Sequence, residues 1–335
     1  MDVLKTLLNL CSFESVSGKE KNLTNYLYKA LEKYSKNIKT TNLNSIICEI
    51  KGKKNCKLNI MLEAHIDSIG FVVEDITKEG FLKIANCGGI DLKILNSQEV
   101  IVCGKKKLEG FIFKNVEDTK NAPKKIEDFL VDINLSKEEA EKLVSIGDIV
   151  AFKNISLMLK NDMVCTRFLD NKASVVCILK ILEKLKGTDF NFNLYVVFSS
   201  LEETSQGGAI TAANFLEKID FAISIDVSFA KTLNCEEEPI GEILKGPLIG
   251  ISPILDDDLT KKMIEIAKAN KTPHQFEIMN SLTHTDADSI AISKSGVKTC
   301  LISIPLKNMH TPLEIVSLKD INSTIDLIFN FINSF

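Results

Sequence analysis

Residues 192–201 (FNLYVVFSSL) form a β-prone, mainly apolar run with little polar alternation. A strand with one face in water alternates apolar and polar side chains, so a continuous run implies a strand covered on both faces. That points to an α/β architecture, with helices on either side of a largely parallel sheet. The run ends in Glu202 and Glu203, followed by the small-residue turn 204–208 (TSQGG). Open α/β sheets hold their ligands beyond the carboxyl ends of their strands. Adjacent side chains on an extended chain point apart, so one carboxylate of such a pair can bind a metal while its neighbour moves a proton. A solvated turn would equally place two glutamates here.

Three other strand ends share this character. Residues 58–62 (LNIML) run into Glu63, His65 and Asp67, and the spacing of two puts His65 and Asp67 on one face of an extended chain. That suits a carboxylate orienting a metal-binding imidazole through its other ring nitrogen. Residues 221–225 (FAISI) deliver Asp226, and 300–305 (CLISIP) lead through a short polar loop to His310. Asp170 precedes residues 172–186, whose apolar positions 175, 176, 178, 179, 182 and 185 follow helical spacing, so Asp170 or Asn171 could simply cap that helix. Each residue alone has an ordinary structural explanation. Together they are the types that a closely spaced pair of divalent ions needs, arriving at one end of a sheet.

The alternating pattern is interrupted. Helices over 2–10 and 19–34 and strands over 45–50 and 58–64 come first. Residues 68–165 then change to short β-like runs broken by Gly80, Gly88, Gly89, Gly104 and Gly110, with a capping box at Ser136 to Glu139. The pattern resumes with helix 172–186, strand 192–200, helix 207–218, strand 221–226, helices 257–269 and 286–294, strand 298–305 and helix 317–333. The expected organisation is a discontinuous α/β unit, 1–67 and 166–335, in outline a three-layer sandwich, with a small β-rich domain at 68–165 inserted between His65 and Asp170.

In residues 63–71 (EAHIDSIGF), 168–173 (FLDNKA), 201–203 (LEE), 225–227 (IDV), 244–247 (LKGP), 285–287 (TDA), 302–305 (ISIP) and 310–312 (HTP), the chain resembles the M42 metallo-aminopeptidases, which include glutamyl and tetrahedral aminopeptidases. The order and spacing match over nearly the whole chain. The resemblance implies two divalent metal ions, with Asp170 bridging them, His65 and Asp226 completing one site, and Glu203 and His310 the other. It makes Asp67 the partner of His65 and Glu202 the general base acting on a metal-bridging water. It implies that the inserted domain mediates dimerisation and that dimers can build a hollow tetrahedral dodecamer, so the expected partners are peptide substrates and further copies of the chain. The chain departs from the family pattern at Lys172, where Arg is common, at Ser174, where Gly is common, and at 204–206. It also departs at His284, where glycine is usual: either a loop histidine or part of the specificity pocket. None of these removes a ligand or the base.

Composition excludes some classes. A formal net charge of -4 argues against nucleic-acid partners. The short clusters at Lys51 to Lys54, Lys105 to Lys107 and Glu236 to Glu238 suit solvated surface. The apolar runs are too short for a membrane span, and the amphipathic first segment carries an early acidic residue, unlike a signal peptide. Nine dispersed cysteines without a Cys-x-x-Cys pair suit reduced thiols, and the expected location is cytoplasmic. A single arginine, Arg167, stands against 40 lysines, and its place in sequence puts it near Asp170.

The expected activity is therefore a dinuclear aminopeptidase using zinc, cobalt or manganese. A metal-dependent amidohydrolase, deacylase or carboxypeptidase on the same fold is the alternative, separated by whether a free α-amine is required. A non-catalytic metal-stabilised scaffold would have no need of Glu202. A glycosidase needs two free carboxyls flanking its bond, whereas most acids here would be occupied as ligands.

Overall fold

The computed structural model describes residues 1–53, 56–115, 125–232 and 241–335. Lys54, Cys235 and the acidic cluster Glu236 to Glu238 lie outside the described residues.

Among the described residues, eleven strands form one mixed sheet. At its centre Phe192–Ser199, Leu58–His65, Phe221–Phe229 and Thr299–Lys307 lie side by side and parallel. The register sets Ser199 opposite His65 and Ser224 opposite Glu63, so the carboxyl ends of these strands meet at one edge. Antiparallel strands flank this centre: Ile46–Ile50 and Ile38–Thr40 on one side, Glu314–Ser317, Met163–Thr166 and Leu157–Leu159 on the other.

Side-chain alternation divides the core in two. Ile60, Leu62 and Ala64 pack with the helices Val3–Cys11, Lys21–Leu31, Leu169–Leu185 and Leu318–Ile332, while Met61 packs with Gly207–Phe215 and Asp286–Ala291. This is the two-sided burial that an unalternated apolar run demands. The short strands Leu248–Ile251, Gln275–Ile278 and Glu314–Ser317 were not expected. Four residues give too little periodicity to distinguish strand from loop, and the pairing that fixes each lies far away in sequence.

Six strands between Gly70 and Phe152 close into a separate barrel, filled by its own cluster that includes Phe71, Phe129 and Phe152. Helix Lys137–Leu143 starts at the expected capping box, Ser136 with Glu139. The barrel is shorter than the expected stretch 68–165. Leu157–Leu159 and Met163–Thr166 pair instead into the large sheet through Glu314–Ser317, a long-range choice that their short apolar runs do not announce.

Arg167 does not reach toward the strand ends as its position suggested. It is fully buried, and it donates through Nη1 to Phe152 O, through Nε to Cys11 O at 3.3 Å, and through Nη2 to Ser12 O at 3.2 Å and Glu14 Oε1 at 3.3 Å. The guanidinium also lies 4.5 Å from the Phe168 ring. One side chain thus ties the last barrel strand to the end of the first helix. Removing it strands buried carbonyls and leaves Glu14 only its ion pair with Lys107, so Arg167→Met is expected to cost about 3–5 kcal/mol in urea unfolding. A loss below about 1 kcal/mol would show that the clamp contributes little.

Candidate metal centre

His65 ends its central strand, and the carboxylate of Asp67 folds back on the neighbouring turn. Asp67 Oδ1 accepts from Glu202 N at 3.0 Å and Oδ2 from Glu203 N at 3.1 Å. These amides open the short helix Glu202–Ser205, where a carboxylate is electrostatically favoured, and Leu201 before it adopts a positive φ of 60°. The same Oδ1 lies 3.5 Å from His65 Nδ1, an electrostatic approach longer than a good hydrogen bond. Asp67 therefore faces both the imidazole and the acidic pair.

Asp170 is not a helix cap. Asp170 and Asn171 have non-helical backbone angles, and the Asp170 carboxylate turns into the cluster. Its Oδ1 lies 3.0 Å from His65 Nε2 and its Oδ2 3.3 Å from His310 Nε2. Asn171 Nδ2 donates to Ile225 O at 2.8 Å, binding the segment to the neighbouring strand. Asp226 Oδ1 lies 3.6 Å from His65 Nε2, and Glu203 Oε2 lies 3.4 Å from His310 Nε2. Two triads result, His65–Asp170–Asp226 and Asp170–Glu203–His310, each with ligand atoms within 4.8 Å of one another and both including Asp170. Glu202 belongs to neither, although its Oε2 is 3.8 Å from His65 Nε2.

Residues to which the sequence assigned no role in the cluster hold this arrangement. Glu314 is buried and accepts the Asp170 amide at 3.1 Å and the His310 amide at 2.9 Å, so one carboxylate sets the backbone of both. Lys172 is buried, with its ammonium donating to Ile66 O at 2.8 Å, Asp67 O at 3.0 Å and Ser68 Oγ. Beneath the cluster, the Ser199 hydroxyl sits between Glu63 and Asp286, within hydrogen-bond distance of both buried acids. An acidic residue inside a short apolar run, as in 314–317, is the signal that could have found Glu314.

The donor set suits divalent cations. Asp170 Oδ1 and Glu203 Oε1 are buried without a directed hydrogen bond among the described residues, although Asp170 Oδ1 stands close to an imidazole. Each such oxygen costs about 1–3 kcal/mol, which a cation would offset. Mixed imidazole and carboxylate ligation is that of zinc, cobalt and manganese. The titration pattern agrees. Burial, then the charges of Asp226 and Asp170, push Glu202 up to about 8 against the opposing influence of His65. Burial and Asp170 carry Glu203 well above the carboxylate range. His310, which burial alone would lower, is raised to about 10 by Asp170 and Glu203. Protons on these groups balance charges that cations would otherwise balance.

A cavity of about 560 Å³ opens onto the cluster, and Phe229, Met309, Gln206 and His284 are among its walls. His284 is thus a cavity-lining residue, held at a positive φ of 59° with its amide donating to Asp288 at 2.8 Å.

Residues 44–327 match the family described as M42 glutamyl aminopeptidase. A relative from Acetivibrio thermocellus, provisionally named an aminopeptidase, is 32% identical over 335 residues, covering 98% of this chain and 97% of its own. The solved aminopeptidase APDkam598 of the archaeon Desulfurococcus kamchatkensis aligns with a TM-score of 0.93 and 27% identity, over 99% of this chain and 95% of its own. The TET1 peptidase of Pyrococcus horikoshii, which can assemble into a tetrahedron or a large octahedral shell, aligns with a TM-score of 0.88 and 26% identity over 100% of both chains.

Ligation requires the imidazoles and carboxylates without their protons; in the metal-free protein His310, raised to about 10, keeps its proton at neutral pH, and Glu203 is shifted in the same direction. Cation binding is therefore expected to release protons and to tighten as pH rises from 6 to 8, by about tenfold per pH unit for each proton displaced. Calorimetric titration of the chelated protein with zinc or manganese, in buffers of different ionisation enthalpy, checks this. Heats independent of buffer would contradict it.

Proposed function

The chain belongs to the M42 glutamyl aminopeptidase family and so is a peptide hydrolase of a generally metal-dependent kind; from that premise we propose that it removes amino-terminal residues from peptides at a dinuclear centre. The observation that carries this reading is the pair of triads sharing Asp170, with Glu202 beside them but outside both. Asp170 would bridge two divalent ions, His65 and Asp226 would complete one site, and Glu203 and His310 the other. When bound, such a pair would lower the pKa of water and polarise the scissile carbonyl.

The remaining work falls to the chain's own groups. Glu202, beside both triads yet a member of neither, would take a proton from the attacking water and return it to the leaving amine. Asp67 holds the turn that carries Glu202 and faces the far nitrogen of His65, which limits how either can move. Nearby carboxylates would receive the substrate's free α-amine.

We read 1–67 with 166–335, which supply most of the large sheet and its helices, as a catalytic three-layer sandwich, and 68–165, whose body is the barrel and whose last two strands extend the large sheet, as an inserted oligomerisation domain. The assembly of the similar TET1 peptidase supports a homo-oligomer, from dimer to dodecamer. No described helix is long and apolar enough to cross a membrane, and together with nine cysteines lacking any Cys-x-x-Cys pair this supports a cytoplasmic enzyme. A carboxypeptidase is less suited, because the cavity walls among the described residues carry no lysine or arginine to hold a terminal carboxylate, and Arg167 is committed elsewhere.

Glu202→Gln is expected to keep its fold and cation content while losing about 10²–10⁴-fold in turnover. Near-native turnover would remove Glu202 from the base role. Wild-type protein should shorten free peptides one residue at a time and leave amino-acetylated ones intact. Cleavage indifferent to acetylation would favour an amidohydrolase or deacylase. Asp170→Asn should weaken both cation sites together, and full occupancy of both by elemental analysis would overturn the bridging role.

A further inference from the structure

We propose that the cavity beside the cluster selects peptides whose amino-terminal residue is uncharged and apolar, such as leucine, methionine or phenylalanine, with Phe229 as the specificity-determining residue. This rests on the aminopeptidase reading, in which the α-amine is held at the carboxylates, leaving the first side chain to occupy the rest of the cavity.

The cavity walls beyond the cluster decide what can enter. Val227, Phe229 and Met309 form the apolar part. Phe229 ends a strand whose eight preceding residues are all buried, yet it is itself 58% exposed. It is not on a loose end: Phe229 pairs with Leu306 in the adjacent strand, and Ala230 N donates to Leu306 O at 2.8 Å. A phenyl ring fixed by its backbone and left half in water at the wall of a cavity is an apolar contact surface awaiting a ligand.

Much of the polar wall is occupied with its own bonds. Gln206 Nε2 donates to Thr285 O at 2.9 Å, the Thr204 hydroxyl meets Ser17 Oγ at 3.0 Å, and the Thr285 hydroxyl lies 2.9 Å from that of Thr283 while accepting the Ala287 amide. Outside the cluster, the described walls hold no lysine, arginine, aspartate or glutamate, and their one titratable side chain is His284. A glutamate side chain entering here would have only His284 as an ionisable partner outside the cluster, and a lysine could pair only with carboxylates already committed as ligands or, in Glu202, as the base. Burying either charge unpaired is costly, whereas burying a leucine against Phe229 and Met309 is favourable.

The test is kcat/KM for dipeptides X-Ala with X as Leu, Met, Phe, Ala, Glu or Lys, on the metal-loaded enzyme and on Phe229→Ala. Leu, Met and Phe are expected to exceed Glu and Lys by about 100-fold. In Phe229→Ala the Leu-to-Ala ratio should fall by about tenfold or more. Calorimetric binding of leucinamide, lysinamide and glutamic acid α-amide to Glu202→Gln provides a readout without turnover, and leucinamide should bind most tightly. Preferred cleavage of Glu or Lys peptides, or an unchanged Leu-to-Ala ratio in Phe229→Ala, would overturn the pocket assignment while leaving the aminopeptidase reading intact. Cleavage of none of the free dipeptides would overturn that reading and this one with it.

Discussion

Four parallel strands held in register bring carboxylates and imidazoles from distant parts of the sequence to one edge of a sheet, where most of them are shielded from water. Asp170, Glu203 and Asp226 are too close for all to be charged without compensation, and the two imidazoles are drawn into proton-sharing contacts with them. The neighbouring architecture answers this concentration of charge. Backbone amides are directed onto Asp67 and Glu314, an ammonium is spent on the loop after His65, and a serine hydroxyl bridges Glu63 and Asp286 below. The apolar core fixes where the strands lie, and this polar layer fixes how their ends are aimed.

Much of this could be read from the residues. The unalternated runs before Glu202, Asp226 and His65 declared strands covered on both faces, because covering is the only way such runs escape water. The spacing of His65 and Asp67 put them close together, and the structure finds them 3.5 Å apart. What stayed hidden depended on partners remote in sequence. Asp170 and Asn171 precede a helix, as capping residues do, and only the contacts of their side chains with His65, His310 and Ile225 show that they serve otherwise. Glu314 sits in a four-residue strand with no periodicity to mark it, and Arg167 lies three residues from Asp170 yet is turned toward the first helix and the barrel. Proximity along the chain says little about direction once a strand gives way to a helix.

The barrel meets the large sheet close to the site. Val16 bridges to Ser68 where the chain leaves for the barrel, and Ser17 lies against Thr204 in the acidic turn. Gly70 is required there, since a side chain would collide with Val16 and with Val150 O. The segment 15–18 thus touches the barrel entrance and the turn after Leu201 at once. Displacement of one would be felt by the other through contacts only a few residues long.

The two deeply buried cations of this region differ in the number and direction of bonds they must make. Lys172 meets three acceptors clustered on one short stretch, 66–68, and an ammonium has three donors to give. Arg167 meets four acceptors drawn from the first helix, the residues after it and the barrel, spread in directions that a planar fork can span and a single nitrogen cannot. In a chain that uses lysine 40 times, composition thus becomes a gauge of geometric necessity. The one guanidinium stands where a buried positive charge must serve several directions at once.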